Sequence, residues 1–149
     1  MSNIARRDGF TLTELLVVVA LLSALLMVAL PAARRALEVF AVRSARETLT
    51  TAAMRTRSLA LNHDGAQLQI DAPSASLTLS TGDSAKTDTW NLRDLHGVTV
   101  TIEHSARTTG FLVYDRLGIG RLANLTVRLS RGDATGGVTF SAYGRPRAW

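Results

Sequence analysis

Two groups of residues in this sequence have types and spacing that suit chemistry. The first is Glu14. It is a carboxylate set into a run that is otherwise apolar from Phe10 to Leu30 apart from Thr11, Thr13 and Ser23. A carboxylate inside such a segment costs about 2.5–3.5 kcal/mol at a helix centre on insertion scales, and less near an end. A generic signal or anchor has no use for it. Gly9 stands just before the run, and Arg6 and Arg7 just before that. The second group closes the chain as Tyr143-Gly144-Arg145-Pro146-Arg147-Ala148-Trp149. In an extended segment Arg145 and Arg147 point to one side. Pro146 stiffens the backbone between them. Tyr143 and Trp149 offer aromatic faces beside the guanidinium groups. Arg121, Arg128 and Arg131 lie close enough in sequence to widen a basic patch, and such a patch draws an anionic partner.

Other chemistry is poorly served. The chain has no cysteine, so disulfides, thiolate nucleophiles and Cys-ligated metals are excluded. His63, His96 and His104 are scattered and lack metal-ligand spacing. Lys86-Thr87 has no glycine cradle before it, and no Gly-x-Ser-x-Gly elbow occurs. Gly118-Ile119-Gly120 reads as a tight turn. Asn124-Leu125-Thr126 fits a glycosylation sequon as easily by chance as by design. No cofactor is implied, and nothing argues for an enzyme.

The elements follow from period and punctuation. The chain has 149 residues and a formal net charge of +5, with a mean hydropathy of +0.13. Both averages hide a partition. The apolar excess belongs largely to Phe10–Leu30, which is long enough to cross a hydrocarbon core as a helix, for which about 20 residues suffice. Residues 34–57 and 107–149 are net basic, whereas 58–106 is net acidic. Pro31 interrupts the helical pattern and predicts a kink. Ala32 to about Asn62 reads as helix again, with an alanine-rich apolar stripe expected through Leu37, Ala41, Ala45, Leu49, Ala52, Ala53 and Leu59. After His63-Asp64-Gly65 the period changes from helical to alternating. Short strands are expected at 66–70, 77–79, 89–92, 98–103, 111–114, 125–129 and 138–142. A helix followed by strands is an α+β arrangement.

Residues alone leave three readings of Phe10–Leu30. One is a cleaved secretory signal, since Ala29-Leu30-Pro31-Ala32-Ala33 offers small residues after an apolar stretch. Another is an ordinary membrane anchor. The third is a segment that uses Glu14. Here the residues resemble a family. Gly9-Phe10-Thr11-Leu12-Thr13-Glu14-Leu15-Leu16 on a basic leader looks like the class III signal of type IV pilins and type II secretion pseudopilins. Thr13 departs mildly from the usual Ile or Val. The stretch Arg55 to Asn62 running into a strand, and the ending Val138 to Arg147 with its Gly-Arg-x-Arg, resemble the GspH/FimT family of minor pilins and pseudopilins.

The resemblance implies a pilin-like α+β fold. A long N-terminal helix, transmembrane in its first half, would pack on an antiparallel β-sheet domain. It divides the chain into a prepilin leader (1–9), a transmembrane and filament-core helix (10–31) and a globular domain (32–149). It implies cleavage after Gly9 by a prepilin peptidase and N-methylation of Phe10. Glu14 would then pair with the Phe10 amine of a neighbouring subunit during assembly. The partners are the peptidase, other pilins or pseudopilins in a filament, and the bacterial inner membrane. The basic flank predicts a cytoplasmic N-terminus and a periplasmic globular domain. The family has a secretion branch and a pilus branch. In some members of the latter the Gly-Arg-x-Arg motif contributes to DNA binding during uptake. DNA is therefore a further partner, with Arg145, Arg147, Arg131 and Arg128 as its expected contacts. Such arginines bind phosphate rather than read sequence.

Overall fold

The computed structural model describes residues 11–82, 86–103, 107–121 and 124–149. The fold is α+β. The chain divides between Arg34 and Arg35 into two compact units. Helix α1 (Leu12–Asn62) begins in the first unit and continues into the second, with Pro31 inside it. A proline removes only one intrahelical hydrogen bond, so helical assignment persists on both sides.

In the first unit every described side chain is exposed. The segment holds an 18-residue window of mean hydropathy 2.8 with none of it buried. It is long and apolar enough to cross a membrane. Within Leu15–Leu30 the lone polar side chain is Ser23, whose hydroxyl donates to the Val19 carbonyl at 2.8 Å. The backbone absorbs the one group that lipid would not satisfy.

In the second unit α1 buries Ala41, Val42, Ala45, Leu49, Ala52, Ala53, Thr56 and Ala60. These recur at helical spacing, so they form one stripe. The alanines let the helix approach its neighbours closely. Thr56 is the polar exception, and its hydroxyl donates to the Ala52 carbonyl at 2.8 Å.

The strands form two antiparallel sheets where the sequence predicts one. The first holds β1 (Ala66–Asp71), β2 (Ser76–Thr81), β3 (Lys86–Asn91), β5 (Thr109–Tyr114) and β6 (Gly120–Arg121), in the order β3-β2-β1-β5-β6. The second holds β4 (Thr99–Glu103), β7 (Leu125–Arg131), β8 (Ala134–Phe140) and β9 (Pro146–Ala148), in the order β4-β7-β8-β9. Strand β1 alternates buried and half-buried residues from Ala66 on, as a sheet with one face on a core requires. Leu68, Ile70, Leu77, Leu79 and Leu112 of the first sheet share one cluster with Val127, Leu129, Val138 and Phe140 of the second and with Leu49 of α1.

Four elements depart from the sequence expectation. Strand β8 runs Ala134–Phe140 rather than 138–142, because its Gly136 and Gly137 pair with β7 instead of forming a turn. Leu92 is not the end of a strand but opens helix α2 (Leu92–His96). The Asn91 side chain caps it by accepting from the Arg93 and Asp94 amides, and Gly97 ends it at φ 65°. Strands β6 and β9 have two and three residues, too few for alternation to register. The sheet edge defines both of them. Strand β9 opens on Pro146, a position where the missing donor breaks no central ladder.

Candidate functional site

At the N-terminus, Gly9 and Phe10 lie outside the described residues. Glu14 does not. It sits three residues beyond Thr11, and the two form a reciprocal cap. The Glu14 amide donates to the Thr11 hydroxyl at 3.3 Å, and one carboxylate oxygen accepts the Thr11 amide and hydroxyl at 2.9 Å each. This is a capping box, which satisfies donors that a helix start leaves open. Only Oε2 is used. Among the described residues Oε1 makes no hydrogen bond or ion pair, so half of the carboxylate is available to a cation from outside the chain.

At the C-terminus, the chain leaves β8 in a turn. Gly144 donates to the Ser141 carbonyl at 2.8 Å, and the Ser141 amide donates to the Arg145 carbonyl at 3.0 Å. Gly144 stands at φ 74°, and a Cβ there would fall 2.5 Å from the Tyr114 ring. Glycine is thus required for both conformation and space. The buried Tyr114 hydroxyl donates to the Gly144 carbonyl at 2.9 Å. Gly120 meets the same turn. Its amide donates to the Tyr143 carbonyl at 3.2 Å, and a Cβ on it would lie 2.6 Å from the Gly144 nitrogen. The glycine turn and the Gly-Arg-x-Arg ending, read separately in the sequence, are one packed unit joining β5 and β6 to the end of β8.

Electrostatics around this unit are set by neighbours. Burial pushes the Tyr114 hydroxyl above its usual pKa, partly countered by the positive charge of Arg57. Asp115 accepts the Ile119 amide at 3.0 Å and the Leu117 amide at 2.9 Å. The bond from Ile119 is the main cause that lowers its pKa, opposed by desolvation and aided by the Leu117 amide and Arg121. The turn from Asp115 to Ile119 is therefore held by a carboxylate.

The structure separates the expected arginine contacts. Arg147 pairs with Thr139 across β8 and β9, and Arg128 pairs with Gly137 across β7 and β8. Thr139 and Gly137 are two apart, so Arg147 and Arg128 lie on the same sheet face. Arg128 is already engaged. It forms an ion pair with Glu103, and its guanidinium stands 5.6 Å from the Trp149 ring centroid. Trp149 itself is tied down. Its indole donates to the Thr139 hydroxyl at 3.2 Å, and a Cβ on Gly137 would lie 2.7 Å from its ring. Arg46 of α1 donates to the Trp149 carbonyl at 3.0 Å. Arg131 is at the other end of β7, roughly 17 Å from the level of Arg147 by strand rise. It donates to the His96 carbonyl at 2.7 Å. Arg121 stands 3.5 Å from the Asp115 carboxylate. Arg145 and Arg147 are exposed, and among the described residues their side chains form no ion pair or hydrogen bond.

Arg57 was not among the expected contacts. It lines a groove of about 290 Å³ together with Gly118, Ile119, Tyr143 and Arg145. The net basic character of residues 34–57 was its only signal in the sequence, and that does not separate it from Arg55, which pairs with Asp88 at 2.9 Å. Among the described residues, no group of three or more His, Asp or Glu side chains could hold a metal ion.

An apolar helix with a capped carboxylate at its start, followed by two antiparallel sheets on its later half, defines the class. Residues 4–30 match the prokaryotic N-terminal methylation motif. The chain carries this motif on a fold that is pilin-like. Comparison with curated protein sequences gives no match. Among solved structures, the fold is similar to that of the type IV minor pilin FimU of Pseudomonas aeruginosa (strain PAO1). The TM-score is 0.53 at 16% identity, over 72% of this chain and 91% of that one.

Proposed function

We propose that this chain is a minor pilin or pseudopilin of the GspH/FimT type, a structural component of a type IV pilus or a type II secretion pseudopilus. It is made as a precursor, cut after Gly9 by prepilin peptidase and methylated on Phe10. The apolar first part of α1 anchors it in the bacterial inner membrane, with the N-terminus cytoplasmic and the globular domain periplasmic. The observation that carries this reading is Glu14. It is the one charged group in the exposed apolar segment, and among the described residues one of its two oxygens makes no hydrogen bond or ion pair. A neighbour's Phe10 amine would offset the cost of that carboxylate in the filament core. Replacing Gly9 with a bulky residue tests the processing step. The variant should keep its full precursor mass when expressed with its peptidase, and a mature mass equal to that of the unaltered protein refutes the cleavage site.

A second reading has its own support. Among the described residues the exposed Arg145 and Arg147 side chains have no ion pair or hydrogen bond, whereas Arg128 pairs with Glu103 and Arg131 donates to the His96 carbonyl. This favours a DNA-contacting role for the Gly-Arg-x-Arg segment, centred on Arg145 and Arg147, with Arg128 and Arg131 contributing background charge. The double substitution Arg145→Gln and Arg147→Gln should weaken binding to duplex DNA. It should also flatten the log–log salt dependence by about 1.8 for two phosphate contacts. Unchanged binding by that variant removes DNA from the partners.

A further inference from the structure

Arg57 and Arg145 come from distant parts of the chain, yet line the same groove. Among the described residues neither guanidinium has an ion pair or a hydrogen bond. Two uncompensated cations in one groove repel each other, and an anion between them removes that cost. Their positions are built. Arg57 lies against the 115–119 turn, where a Cβ on Gly118 would stand 3.4 Å from its Cγ and Nε. The Arg145 backbone is held on both sides, its carbonyl by the Ser141 amide at 3.0 Å and its amide by the Ser141 hydroxyl at 3.2 Å. The rim is aromatic and aliphatic. Tyr143 is 70% exposed, and Ile119 and Leu61, the latter beside Gly118, are also exposed. Paired cations beside an open aromatic face suit a strand whose phosphate and base are both accessible. A duplex hides its base faces and offers the phosphates alone.

We propose that the groove between Arg57, Arg145 and Tyr143 binds single-stranded nucleic acid, taking one phosphodiester between the two arginines and the adjacent base on the Tyr143 ring. The site rests on the DNA reading above. It adds a contact from α1, and it gives the strand a chemical reason to be single.

The test uses the full chain in detergent, with fluorescently labelled oligo(dT) and a duplex of the same length, each titrated over a range of salt. Arg57→Gln should lower the slope of log affinity against log salt for oligo(dT) by about 0.7, the value of one single-strand phosphate contact. Arg57→Lys should restore it. Tyr143→Ala should weaken oligo(dT) about tenfold with the slope unchanged, and leave the duplex unaffected. If Arg57→Gln matches the unaltered protein while the Arg145→Gln, Arg147→Gln variant loses binding, this site is wrong and the DNA reading stands. If Tyr143→Ala weakens both probes equally, the base contact is wrong. If the unaltered chain binds neither probe, both readings fall. Arg57 and Tyr143 are exposed, so these variants should fold as the unaltered chain does.

Discussion

Gly144 has two constraints at once. Its φ of 74° suits glycine, and the Tyr114 ring fills the space a Cβ would need. Gly144→Ala should therefore destabilise the domain by about 1–3 kcal/mol, read as a lower urea midpoint. Tyr114 adds a pH dependence. Burial holds its folded pKa above the ordinary 10.0. Stability from the neutral hydroxyl is then fully present below the unfolded value, and is lost as pH rises through the folded one. The melting temperature should fall on titration above about pH 10, where unfolded tyrosine ionises. Tyr114→Phe should remove that part of the fall. An equal alkaline fall in the Tyr114→Phe variant would place the effect on other groups.

At the scale of elements, α1 is the common support of both sheets. Its alanine stripe sets the distance and Leu49 fills the centre. Ala45 and Leu49 are fully buried, so each substitution there has a defined direction. Leu49→Ala should cost about 2–5 kcal/mol through the cavity it leaves. Ala45→Leu should cost about 1–3 kcal/mol through overpacking. Chemical denaturation of each variant checks both, and a stabilised Ala45→Leu would mean that the stripe has room to spare. The helix also steadies the β7–β8 turn. The Glu38 carboxylate accepts the Asp133 amide at 3.4 Å, beside Gly132 at φ 54°. Strand β7 was legible at Leu125–Leu129, whereas the first half of β8, with Gly136 and Gly137, was not, because glycines read as a turn until pairing with β7 places them in a strand. Helix α2 reads instead as the end of a strand at Leu92, because the five residues between the Asn91 and Gly97 caps are too few to show a helical period. Strands β6 and β9 were not legible, since their pairing partners alone define them.

At the scale of the molecule, the first unit carries the apolar segment and the second carries the basic surface. Glu14 belongs to the former. Glu14→Leu should leave membrane insertion and cleavage intact, because it removes a charge from an apolar run. It should sharply reduce incorporation into filaments. Comparing mature protein in sheared filaments with that left in membranes checks this, and normal incorporation would refute the assembly role. The net charge of +5 says little about where a partner sits. Many arginines are spent inside the domain. Arg128 is paired with Glu103, Arg55 with Asp88 and Arg121 with Asp115, while Arg46 and Arg131 donate to carbonyls.

What the sequence determined by itself is local. The membrane-length run, the Thr11–Glu14 spacing of a capping box, and the change from helical to alternating period after Asn62 depend on neighbours within a few residues. Chain geometry alone relates these. The tertiary structure decided what depends on distant partners. It split the strands into two sheets and set the Gly120 amide against the Tyr143 carbonyl. It also chose which cations remain free. Arg57 and Arg145 share a groove although most of the domain's sequence separates them, while Arg128 and Arg147 share a face and differ in whether an acid stands beside them. Residue type and spacing do not encode that difference, because an ion pair across strands exists only once register has placed both charges within reach.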